Sequence, residues 1–148
     1  MSVVVWDGTT LAADKQGTYG DTKITVTKIR KVKLNGHVCL IGAVGCINTC
    51  NELMNWFQTG ADPKTFPGEF MKDNETSASM VVIDDKRRIF SYDTGPTPFL
   101  VEDRYYATGS GKDIANAALA MKKTAKDAVA LTNRLSISCG MGIDTLTF

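Results

Sequence analysis

After Met1 the chain runs Ser2-Val3-Val4-Val5-Trp6-Asp7-Gly8-Thr9-Thr10-Leu11-Ala12-Ala13-Asp14. Ser2 to Trp6 is rich in β-branched residues, Asp7-Gly8 is a two-residue hairpin signal, and Thr9 to Ala13 supplies a return strand. A hairpin therefore starts almost at the N-terminus. Ser2 has the small side chain that permits removal of an initiator Met. Removal would leave a serine with a hydroxyl and a free α-amine at the start of a strand. An α-amine titrates near ~7.7–8.0, so a usable fraction is neutral around pH 7. It can then act as general base for its own hydroxyl, and no histidine is needed. With the turn at Asp7-Gly8, Asp14 falls at the far end of the return strand, roughly across from Ser2. A lysine on a neighbouring strand would complete the site by stabilising the alkoxide and holding the amine's pKa down.

The 148 residues suit one domain spanning 1–148. Hydrophobic residues make up 43% and charged residues 22%, which excludes a disordered chain. Basic and acidic residues number 17 and 16, for a net charge of +1. A dedicated nucleic-acid binder carries a basic excess, so no nucleic-acid partner is expected. No apolar run approaches the ~18–20 residues that span a bilayer, and Met1 to Asp7 lacks the positive segment of a secretory leader. The expectation is an intracellular, cytoplasmic protein with no membrane attachment and reduced cysteines. Cys46 and Cys50 are spaced as a metal half-site, but with a single His and no second close Cys pair they read as small buried hydrophobes. No metal and no cofactor is expected.

Thr22 to Leu34 reads as extended, Asn35-Gly36 as a second hairpin turn, and His37 to Val44 as an apolar strand. Gly17, Gly20 and Asp21 mark a loop between the hairpins. Cys46 to Gln58 has helical spacing, with Ile47, Cys50, Leu53, Met54 and Phe57 on one stripe that packs in the core or against a neighbouring subunit. Ala78–Ile83 and Arg88–Tyr92 form another hairpin, and Arg104 to Thr108 forms a short strand. Lys112–Met121 and Thr124–Leu135 are alanine-rich helices, and Ile143–Phe148 is a last strand. Strands cluster and then helices cluster, which favours an α+β or layered αββα arrangement over a doubly wound parallel sheet. There is no GxxxxGK[ST], HExxH or GxSxG motif. Gly109-Ser110-Gly111 before a helix suits either an anion site or a turn with a cap. His37 reads as a turn residue.

Asp14-Lys15-Gln16-Gly17-Thr18-Tyr19-Gly20-Asp21-Thr22 resembles the D-x-Q-x-T-x-G-x-T stretch of HslV-type peptidases, the proteolytic half of a bacterial proteasome-like system. Lys28-Ile29, Asn35-Gly36 and Gly42-Ala43-Val44-Gly45 are similar to that family's K-[IV] strand, turn and G-x-x-G oxyanion strand. Ala107-Thr108-Gly109-Ser110-Gly111 is similar to its A-I-G-S-G-G segment. The resemblance runs from Ser2 to about Asp144. It is to the proteasome-like N-terminal-nucleophile (Ntn) hydrolases, closest to HslV-type peptidases and proteasome β subunits. It implies a four-layer αββα sandwich.

The same resemblance implies site roles. Ser2 would be the nucleophile and its amine the base, with Asp14 and Lys28 as the charges that tune it. The Gly42 N–H would serve the oxyanion, and Ser110 would assist the amine. It implies cleavage of peptide or unfolded-protein substrates inside a self-assembled ring, with an ATP-dependent unfoldase as a partner. Three features depart from the pattern. The nucleophile is serine where threonine is usual, and the first hairpin is shorter. Ser136-Ile137-Ser138-Cys139-Gly140 occupies a stretch where the family carries D-x-x-[ST]-G. That last departure keeps a second expectation open, an inactive assembly protein on the same fold. An amidase acting on a small-molecule amide is a third.

Overall fold

The structure, a computed structural model, describes residues 2–148. In chain order the elements are β1 (Val4–Trp6), β2 (Thr10–Asp14), β3 (Gln16–Tyr19), β4 (Thr22–Thr25), β5 (Ile29–Leu34), β6 (His37–Gly45) and α1 (Ile47–Gln58). Then come β7 (Ala78–Ile83), β8 (Ile89–Tyr92), β9 (Phe99–Val101), β10 (Tyr106–Thr108), α2 (Lys112–Ala120), α3 (Ala125–Leu135) and β11 (Ile143–Thr147). Two compact units share them: residues up to Ile29 with Asp103–Thr147, and Arg30–Glu102 with Phe148.

In the first unit a four-stranded sheet runs β10-β1-β2-β11. All its pairs are antiparallel, with Val4 opposite Ala13 and Trp6 opposite Leu11 in the first hairpin. That register makes Gly8-Thr9 the central pair of the turn, one residue later than the Asp7-Gly8 signal suggests. Gly8 takes φ +96°, as a turn with glycine in its first central position requires. Asp7 is occupied elsewhere. Its Oδ1 accepts from the N–H groups of Thr9 (2.9 Å) and Thr10 (2.8 Å), and its Oδ2 from the N–H of Ala125 (2.7 Å) at the start of α3. Thr124 caps the same helix by accepting from the Asp127 N–H. Val3, Val5 and Ala12 pack against Ala115, Ala118 and Leu119 of α2 and Ala125, Ala128 and Val129 of α3. Alanine at these positions lets both helices lie close to the sheet.

The loop expected around Gly17 and Gly20 is instead a hairpin. Tyr19 faces Thr22 across a Gly20-Asp21 turn, so β3 and β4 form a separate two-stranded sheet. The long extended run Thr22–Leu34 is therefore two strands with different partners.

In the second unit the sheet order is β5-β6-β7-β8-β9. Asn35 (φ +52°) and Gly36 (φ +80°) both take left-handed backbone between β5 and β6, as a type I′ turn needs. α1 lays Cys50, Leu53, Met54 and Phe57 into the core of this unit against Ile41, Met80 and Val82. β9 has no signal in the sequence, because three residues at an exposed sheet edge are too few to show a period.

Cys46 stands at the N-cap of α1. The Thr49 main-chain N–H lowers its thiol pKa, against an opposing effect of burial. Burial raises the Cys39 and Cys139 thiols. The thiolate is the reactive form, so Cys46 is expected to be alkylated by iodoacetamide first at neutral pH, with Cys39 and Cys139 slowest. Peptide mapping after timed labelling checks the order.

Candidate active site

Ser2 is buried just ahead of β1. Its N–H donates to Ser110 Oγ at 3.0 Å, and its carbonyl accepts from the Gly111 N–H at 3.1 Å. The Ser110 hydroxyl also lies 3.4 Å from the Ser2 carbonyl oxygen. The Gly109-Ser110-Gly111 turn thus holds Ser2 at both ends of its main chain. Gly109 has φ +102°, and a Cβ there would collide with the Ser2 carbonyl oxygen. A Cβ on Gly111 would collide with the Thr132 methyl and press on Cys139 Sγ (3.0 Å) and Val3 Cβ (3.1 Å). Within this turn the Gly111 N–H is committed to Ser2 and the Lys112 N–H to the Gly109 carbonyl. The N-cap of α2 is Gly111, without a side-chain cap.

Asp14, at the end of β2, is fully buried. Its own N–H donates to the Val3 carbonyl at 3.2 Å, and its Oδ1 accepts from the Val3 N–H at 3.0 Å. It therefore faces Val3, one residue on from Ser2, as the register of the Gly8-Thr9 turn dictates. Oδ1 also accepts from Lys28 Nζ at 2.7 Å, and Lys28, just before β5, is 6% exposed. Oδ2 accepts from the N–H groups of Gln16 and Gly140, each at 3.2 Å. Burying two charges is costly unless the remaining lone pairs are satisfied, and here three main-chain donors satisfy them. Asp14 is thus hydrogen-bonded to the main chain beside Ser2 and to the buried Lys28 side chain.

Ser2, Asp14, Lys28 and Ser110 are thus brought together in the first unit. Gly42 belongs to the second, buried in β6 opposite Val81. Met1, whose removal the sequence suggests, lies outside the described residues. Cys46 and Cys50 are in the second unit, and among the described residues no group of His, Cys, Asp or Glu is placed to hold a metal ion. No helix among them is long and apolar enough to cross a membrane.

No protein-family model and no curated protein matches the chain. Solved structures do. Eukaryotic HslV from Trypanosoma brucei is 21% identical at a TM-score of 0.67, over 98% of this chain and 97% of that one. BPH of Thiobacillus denitrificans is 16% identical at a TM-score of 0.74, over 100% and 97%; it has also been solved in complex with epoxomicin. The Anbu complex of Pseudomonas aeruginosa, a helical assembly, is 16% identical at a TM-score of 0.75, over 100% and 81%. The fold is that of the proteasome-like Ntn hydrolases.

Within the Ntn-hydrolase fold the α+β class expected from strand and helix clustering stands. Two contributors to the site were not foreseen. Gly140 supplies a main-chain N–H to Asp14, and Gln16 binds the segment that carries Gly140. Gln16 does lie inside the D-x-Q string, so its position was visible although its task was not.

Proposed function

We propose that this chain is a peptidase whose nucleophile is Ser2 once Met1 has been removed. The observation that carries the proposal is that Ser110 and Asp14 both meet the segment Ser2-Val3, and that Asp14 is paired there with Lys28. With Met1 attached, the Ser2 nitrogen is an amide and cannot take a proton. Freed, it becomes an amine beside the Ser110 hydroxyl. The Ser2 hydroxyl proton passes to this amine as Oγ attacks the peptide carbonyl carbon. The carbonyl π electrons move to oxygen, where losing one main-chain donor costs about 3–4 kcal/mol in catalysis. The C–N bond then breaks as the ammonium returns its proton to the leaving amine. Water, deprotonated by the same amine, hydrolyses the Ser2 ester. The Asp14–Lys28 pair sets the field in which the amine titrates.

This reading takes residues 1–148 as a single proteasome-like domain. It places the chain in a homo-oligomeric ring that encloses peptide or unfolded-protein substrates; the helical assembly of the Anbu complex supports the homo-oligomer. An ATP-dependent unfoldase is the partner it anticipates. Four free cysteines suit a reducing cytoplasm.

One observation favours the inactive assembly protein instead. No carboxylate lies between Asp127 and Asp144, and Asp144 is itself paired with Lys15. Intact mass of the purified chain, with and without epoxomicin, separates the two. The peptidase reading expects loss of Met1 and a gain of one inhibitor per chain. It also expects Ser2→Ala to lower kcat by about 10³-fold or more. Peptide turnover that survives in Ser2→Ala would sink the Ser2 assignment. An unchanged mass together with no turnover would leave the assembly protein.

A further inference from the structure

Residues 136–140 follow α3 and close on themselves, with the Cys139 N–H reaching the Ser136 carbonyl and the Ser138 N–H reaching Ser136 Oγ. They carry no acidic side chain. The nearest acid beyond them, Asp144, is held by Lys15 Nζ at 2.6 Å. The segment nevertheless reaches the buried carboxylate, because the Gly140 N–H donates to Asp14 Oδ2.

Lys15 and Gln16 hold Gly140 in place from the strand side. The Lys15 N–H donates to the Gly140 carbonyl at 3.0 Å. The Gln16 side chain is buried, and its Nε2 donates to the Ile137 carbonyl at 3.1 Å. Gln16 Oε1 sits 3.0 Å from where a Cβ on Gly140 would stand. Meanwhile the Gln16 N–H binds the same Asp14 oxygen as Gly140 does. One residue therefore touches the carboxylate through its main chain and the segment through its side chain.

We propose that residues 136–140 act on the site through the main-chain N–H of Gly140, and that Gln16 is the positioning residue that delivers it. The amide dipole takes a place at the carboxylate that a side chain in this segment does not fill. A buried carboxylate oxygen that loses a donor is left partly unsatisfied, and the Asp14–Lys28 pair changes with it. As far as catalysis is concerned, the proposal rests on the peptidase reading; the geometry it describes does not.

Amide hydrogen exchange by NMR on the full chain tests it, with peptide hydrolysis as a second readout. Gln16→Met keeps the volume and removes the donor. It is expected to speed exchange at Gly140 by about tenfold or more, while Leu11 and Ile41 keep their protection. It is also expected to lower kcat by about tenfold with little change in KM. A loss of protection everywhere would mean that this variant does not fold. Gly140→Ala then decides, since its backbone is not left-handed and its Cβ meets only the flexible end of Gln16. It is expected to raise exchange at residue 140 in the same way. Unchanged exchange at residue 140 in the folded variants overturns the proposal. Absence of turnover in the parent chain would count against the peptidase reading alone, because the exchange result does not need turnover.

Discussion

Asp14→Ala is expected to destabilise the protein by about 3–5 kcal/mol, because it removes one partner of a buried ion pair and leaves the other charged in a dry site. Lys28 is 6% exposed, so it loses its carboxylate partner away from bulk water. The N–H groups of Val3, Gln16 and Gly140 lose their acceptor at the same time. Urea unfolding should show the loss as a lower midpoint with an unchanged slope. Lys28→Met is expected to cost less, since the carboxylate keeps those main-chain donors. The double variant should be less destabilised than the sum of the two, and additivity would argue against a coupled pair. On the peptidase reading, peptide hydrolysis should be lost in both single variants.

Gly109→Ala is expected to be the most damaging substitution of a single hydrogen by a methyl near Ser2. The left-handed backbone at φ +102° costs about 1–2 kcal/mol for any L side chain. The added methyl also meets the Ser2 carbonyl oxygen, which is main chain and cannot rotate away. Overpacking of this kind costs about 1–3 kcal/mol more, for a sum of about 2–5 kcal/mol. Ser110→Ala, one residue on, removes only a hydroxyl partner of the Ser2 N–H and should cost about 1 kcal/mol. Thermal melts of the two variants test the contrast. Equal losses would mean that the turn's shape matters no more than its hydroxyl.

Local chemistry made much of this legible in advance. The first hairpin, the Asn35-Gly36 turn and all three helices follow from β-branched runs, turn pairs and periodic apolar residues, which act within a few residues of themselves. The hairpin register shifted by one because Asp7 looked like a turn residue, and nothing nearby in sequence shows that its carboxylate would serve Ala125. Ser2 and Asp14 stood out from the first hairpin, whereas Lys28 and Ser110 were picked out only through the family resemblance. The donors that complete the Asp14 shell did not stand out, because a main-chain N–H has the same signature at every residue that is not proline. The β3–β4 hairpin was hidden for a similar reason: its turn, Gly20-Asp21, also reads as an ordinary loop.

The order of strands in the first unit has a bearing on synthesis. β1 lies between β10 and β2, so the earliest strand made must keep one edge unsatisfied until residues near 108 exist. Chains emerge at about 5–20 residues per second, and Arg30–Glu102 is a continuous stretch that has what it needs to form its own sheet meanwhile. Asp14 waits longer than β1 does, since its donor at Gly140 and the partner of its strand, β11, both come after β10 in the chain. Ser2 is therefore made well before the Gly140 donor that completes the shell of the Asp14–Lys28 pair. On the peptidase reading, reactivity at Ser2 is then timed by the synthesis of residues near 140 as well as by removal of Met1.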